Sequence, residues 1–123
     1  KAAVDRCGGV LEHPAQSYAW PAHGLQKPVH GKWSKSGIGW VCEVWQSAYG
    51  HRANKKTWLY YVGDNPPIPV RTETPSGSHQ IGFQDQRGKR RNKPTLSRKE
   101  ANATPVEFAK YLINLAEWSR AKL

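Results

Sequence analysis

Thr57-Trp58-Leu59-Tyr60-Tyr61-Val62 is the stretch on which the fold turns. Every residue in it is β-branched, aromatic or aliphatic, the types that suit a pleated, packed surface. Its nearly continuous apolar character predicts a strand buried on both faces, as in a parallel or mixed central sheet. Gly63-Asp64-Asn65-Pro66-Pro67 ends it. Upstream, residues 40–46 alternate and are rich in Val and Trp, which predicts a second strand, and Ala48-Tyr49-Gly50 reads as a turn. Further back, Val10-Leu11 is a short buried strand within 9–12, closed by Glu12-His13-Pro14. Residues 1–7 read as the last turns of a helix capped by Gly8-Gly9. Between these strands, residues 15–39 lack a clear period and are expected to form a long surface loop anchored by Trp20 and Trp33.

Downstream, residues 68–78 are rich in Pro and Thr and expected to be extended. Ser97-x-x-Glu100 suits the cap of a short helix. Thr104-Pro105-Val106-Glu107 places Thr at the N-cap, Pro at N1 and Glu at N3. From there Phe108, Leu112 and Leu115, with Ala109 and Ala116, lie along one stripe of a helix running to about residue 121. The expected fold is α/β. A small mixed sheet carries the C-terminal helix on one face, in a three-layer or open arrangement, with a basic loop at 84–99. The 123 residues suffice for one domain and one modest core.

Lys and Arg total 19 against 9 acids, a net charge of +10. Seven of those cations and no acid fall within residues 87–99. Clustered cations release counterions from phosphate backbones, so a polyanionic partner is expected; the competing reading is a solvated basic surface. The two cysteines, Cys7 and Cys42, have no neighbours at metal spacing, and reduced thiols in the cytoplasm are expected. No signal peptide and no long apolar run are present, so no membrane span is expected. Met is absent and the chain starts at Lys1, which fits a fragment, a processed chain or a tag-cleaved product.

Several residues have the chemistry for a site. Glu12 at a strand end can exchange a hydrogen bond with a substrate amine or ring nitrogen, or it caps a neighbouring backbone. Arg52, Lys55 and Lys56 precede the strongest strand and can hold phosphate or a base edge, or form an exposed charged loop. Arg87, Lys89, Arg90, Arg91 and Lys93 are the other candidate DNA contacts. Of the five histidines, His13 and His51 are candidates for a substrate pocket. None is spaced as a helical ligand pair, and no metal site is expected; a His-metal nuclease is the third-ranked reading. Trp33, Trp40, Trp45 and Trp58 stack on bases or, more commonly for strand Trp, pack in the sheet. No Gly-rich phosphate loop, no G-x-S-x-G and no Cys beside an activating His occur.

Read together, three segments resemble the later half of the DNA (cytosine-5) methyltransferases. Val10-Leu11-Glu12-His13-Pro14 resembles that family's strand ending in Glu-Asn-Val or Glu-Asn-Pro. Ala48-Tyr49-Gly50, running through His51-Arg52-Ala53-Asn54-Lys55-Lys56 into Leu59-Tyr60-Tyr61-Val62-Gly63, resembles its Asn-Tyr-Gly-x-Pro-Gln-x-Arg-x-Arg stretch. The helix from Thr104 is similar to its closing helix. The chain is also similar to small phage and prophage proteins that carry Gly-Gly-Val-Leu-Glu-His-Pro and Gly-His-Arg-Ala. The resemblance implies a partial Rossmann-like domain in which Glu12 bonds the flipped cytosine and Arg52 and Lys55 contact base and DNA. It departs from the family at His13, which replaces Asn, and in having one extra residue and Lys substitutions in the second motif. It also lacks the S-adenosylmethionine loop and the Pro-Cys nucleophile, and attack on cytosine needs a thiolate. The resemblance therefore implies a chain that is not catalytic alone and holds no cofactor. S-adenosylmethionine is expected only with an upstream half, and a missing N-terminal half or a homodimer partner is expected at an exposed sheet edge. The alternative is a non-enzymatic nucleic-acid-binding or phage-host interaction module.

Overall fold

A computed structural model describes residues 1–63, 66–80 and 94–120. Four strands make one sheet: β1 (Gly9–Pro14), β2 (Ser34–Ser36), β3 (Gly39–Trp45) and β4 (Lys56–Val62), in the order β1-β4-β3-β2. The Thr57 to Val62 run is central, between β1 and β3, as its composition predicts. The α/β class and the helix on the sheet hold. The pairing, however, is antiparallel throughout, not mixed, with Leu11 opposite Tyr60 and Cys42 opposite Leu59. An apolar run reports only that both faces of a strand are covered. Here packing on two sides supplies that cover, without the parallel pairing that usually accompanies it.

Strand alternation splits the core into two layers. Cys42, Val44, Leu59 and Tyr61 face α4 (Val106–Arg120), which buries Phe108, Tyr111 and Leu115 against them. Val41, Trp58 and Tyr60 face the other way, against Trp20 and Leu25, with Val4 packed at the margin. Trp20 belongs to α2 (Ala19–Ala22) and Val4 to α1 (Ala2–Cys7), so helices lie on both faces of the sheet. Gly8 closes α1 with φ +77, a left-handed value that glycine adopts without the Cβ penalty, and its N–H reaches Val4 O. Along α4 the buried stripe runs through Tyr111; Leu112 is only half-buried. The Tyr111 hydroxyl explains its choice, since it donates to Ile68 O at 2.6 Å.

The 15–39 segment is more ordered than its composition suggests, holding α2 and β2. Trp20 and Trp33 do anchor it, through indole N–H bonds to Gln26 O (2.8 Å) and Ile68 O (3.0 Å). The expected turn at Ala48-Tyr49-Gly50 is a 3-10 turn, Gln46–Tyr49, ended by Gly50. Ser97 caps α3 (Arg98–Asn102) by accepting from Glu100 N at 3.2 Å. Both cysteines are free thiols; Cys7 is exposed, while burial pushes the Cys42 thiol up to about 12, out of reach of nucleophilic chemistry. Among the described residues no helix is long and apolar enough to cross a membrane.

Candidate functional site

Of the candidate residues, Glu12, His13 and Lys56 lie toward one end of the sheet, where β1 and β3 finish and β4 begins, with Lys55 directly before β4. Glu12 is exposed and sits within β1, opposite Leu59, two residues short of the strand's end. With all strands antiparallel, there is no row of carboxyl ends forming a crevice beside it. Its charge acts on Lys55: burial lowers the Lys55 ammonium pKa, and Glu12 opposes that shift. Lys55 has φ +41, a left-handed conformation that costs a non-glycine residue about 1 kcal/mol. Two bonds to its carbonyl oxygen, from Gln46 N (3.2 Å) and Thr57 Oγ1 (3.1 Å), hold the bend that starts β4.

Lys56 instead lies over the Trp45 ring, 5.4 Å from its centroid. His13 meets Trp20 edge-on. The other tryptophans also have partners: Lys35 lies over Trp40, Trp33 packs on Tyr61, and Trp58 Nε1 donates to Glu43 at 2.9 Å. Lys56 and Arg52 thus rest on different partners, the Trp45 ring and Glu100. Arg87, Lys89, Arg90, Arg91 and Lys93 lie outside the described residues.

Arg52 is the hub of a polar cluster. Its Nη1 donates to Glu100 Oε2 at 2.5 Å, and its Nη2 donates to His79 Nε2 at 2.8 Å. With Nε2 accepting, the His79 proton sits on Nδ1, which donates to Ser78 Oγ at 2.7 Å. A general base needs the reverse arrangement, so Ser78 is not an activated nucleophile here. The backbone fixes this geometry. His79 N bonds to Arg52 O at 2.9 Å, and Gly77 N bonds to Asn54 Oδ1 at 2.8 Å.

Next to this cluster, Gln80 clamps the returning chain. Its N–H reaches Pro94 O, its carbonyl receives Leu96 N, and its side chain donates to Thr95 Oγ1. Gln80 and Pro94 thus meet next to His79, the residue bonded to Arg52. A depression of about 200 Å³ opens on the other side of Arg52, between His51, Leu96, Glu100 and Pro105. Among the described residues, no group of three or more His, Cys, Asp or Glu is placed to hold a metal ion.

No family model, curated protein or solved structure matches the chain. What the site can do must therefore be read from its own atoms.

His51 is buried, with both ring nitrogens engaged: Nδ1 accepts from Ala53 N at 3.0 Å and Nε2 donates to Ala101 O at 3.4 Å. Burial first, and the Lys55 charge second, hold its pKa below the ordinary 6.5. Above pH 6.5 the ring is neutral whether the chain is folded or not. Below it the unfolded chain takes up a proton that the folded one resists, so stability falls as pH drops from about 6.5 toward the folded pKa. Urea midpoints at about pH 7.5 and about pH 5.5 are expected to differ less in His51→Asn than in the parent chain. An equal difference in both proteins would rule out this role.

Sequence reasoning found Arg52 but missed His79, Ser78 and Gly77, and read Glu100 only as a cap residue. His79 and Glu100 lie 27 and 48 residues from Arg52, and no local pattern links them.

Proposed function

We propose that this chain is a nucleic-acid-binding module that holds DNA through phosphate contacts made chiefly by residues 87–99, with no chemistry of its own. The concentration of charge carries this reading. Seven of the 19 cations lie in that segment; the rest of the chain has 12 cations for its 9 acids, an excess of only +3 against the total of +10. Elsewhere several cations already have partners. Lys1 pairs with Asp5, Arg52 with Glu100, Arg71 with Glu107, and Lys35 and Lys56 lie over tryptophans. In the described part of the 87–99 segment, Pro94, Thr95 and Leu96 are bonded to Gln80, which supports a contact surface joined to the folded body there. The cytosine-5 methyltransferase-like reading draws support from the Glu12–Lys55 neighbourhood but none from the antiparallel sheet.

Duplex binding measured against salt tests the reading. The slope of log K on log salt is about −0.9 per neutralised phosphate, so full engagement of the seven cations gives about −6. Replacing Arg90 and Arg91 together by Ala is expected to reduce the slope by about 2. An unchanged slope would sink the proposal.

A further inference from the structure

The depression beside Arg52 has the chemistry of a base pocket. Its volume of about 200 Å³ is below the roughly 300–1,000 Å³ usual for drug-sized ligands, and suits one planar ring. Gly50, Leu96 and Pro105 give it apolar walls. His51, with both nitrogens already bonded to the backbone, adds ring surface and no free polar atom. Among the described residues this lining carries two charged groups, Arg52 and Glu100, bonded side by side at 2.5 Å, and one hydroxyl residue, Thr104. Each is about half exposed, so each keeps hydrogen-bonding capacity for a visitor: 56% for the Arg52 side chain and 47% for that of Glu100.

A fixed donor beside a fixed acceptor selects among bases by edge pattern. Guanine presents the acceptor O6 next to two donors, N1–H and N2–H₂, on one edge. A guanidinium answers the first and a carboxylate the second. Glu100 Oε2 already accepts from Arg52 Nη1, and Oε1 accepts from Ser97 Oγ at 3.4 Å, but each carboxylate oxygen keeps a second lone pair for the visitor. Adenine and cytosine offer a single amino group beside acceptors on the same edge, and thymine a single N–H, so neither uses the carboxylate in a bidentate way. We propose that the Arg52–Glu100 pocket binds a guanine ring, presented by an unpaired nucleotide of a nucleic acid or by a free guanine nucleotide. The proposal deepens the binding-module reading and rests on it for the nucleic-acid source. His79 is then a positioning residue, holding the guanidinium in its plane through Nη2.

The experiment has two arms. In the first, GMP, IMP, AMP, CMP and UMP are titrated into the full chain and followed by amide chemical shifts. GMP is expected to shift residues around Arg52 and Glu100 and to bind about tenfold or more tighter than IMP, which lacks the N2 donors. In the second arm, a guanine-free strand is compared with the same strand carrying one unpaired guanine or inosine. Glu100→Gln is expected to erase the guanine-over-inosine preference in whichever arm shows it. Preference in the strand arm assigns a nucleic-acid guanine, and preference confined to the mononucleotide arm assigns a free nucleotide. Equal response to all bases, or none, overturns the pocket. Loss of binding to the guanine-free strand would instead count against the module reading, so the two failures are distinguishable.

Discussion

Phe108→Ala is expected to cost about 3–5 kcal/mol of folding stability. Phe108 is fully buried, the first inward residue of α4, with its ring 5.1 Å from that of Tyr49 and the sheet residues Leu59 and Tyr61 in the same cluster. Removing the ring forfeits its transfer energy and leaves a void between helix and sheet. The sheet cannot collapse into that void, because β4 is held by partners on both edges. A domain of this size typically has about 5–15 kcal/mol in total, so the loss is a large fraction of it. Differential scanning calorimetry is expected to show a fall in Tm on the order of 10 °C or more. A fall of only a degree or two would mean that α4 is not the lid of the core. Ile113→Ala, on the exposed side of the same helix, is the matched control and should change little.

Gly77→Ala is expected to destabilise the chain by about 1–3 kcal/mol and to dismantle the Arg52 cluster with it. A Cβ built on Gly77 would stand 2.5 Å from Arg52 O and 2.7 Å from Ala53 Cα. Both are backbone atoms, which cannot swing aside as the tip of a side chain would. The 77–80 segment must then retreat, taking His79 away from Nη2 and stretching the His79 N to Arg52 O bond. Urea unfolding reads the first effect. The second shows as changed amide shifts at Arg52, His79 and Gln80. A variant with native shifts at those positions and unaltered stability would show that the close approach is not needed.

The strands and the final helix were legible because their signals are local. Thr57 to Val62 states its own burial, and Gly8 and Ser97 punctuate their helices by local capping chemistry alone. Strand direction was not legible: β1 and β4 are separated by more than forty residues, and an apolar run looks the same whichever way its neighbour runs. Tyr111 was passed over for Leu112 because the hydroxyl that makes it suitable depends on Ile68 in a distant loop. The candidate site was legible in part. Arg52 stood out as a cation ahead of a strand, and Glu12 and Lys55 do come together, as neighbours in charge if not in a shared pocket. What made Arg52 a hub was a glycine whose missing side chain admits a remote segment, and a glycine in a Pro- and Thr-rich stretch gives no hint of what it lies against.

The Gln80 clamp joins positions fourteen to sixteen residues apart: its N–H reaches Pro94 O, its carbonyl receives Leu96 N, and its side chain reaches Thr95 Oγ1. Two of these three bonds are made by backbone atoms, which every residue but proline carries in full. The join therefore does not depend on which side chain stands at position 80. A substitution there forfeits one bond of the three and leaves the crossing of the two stretches in place.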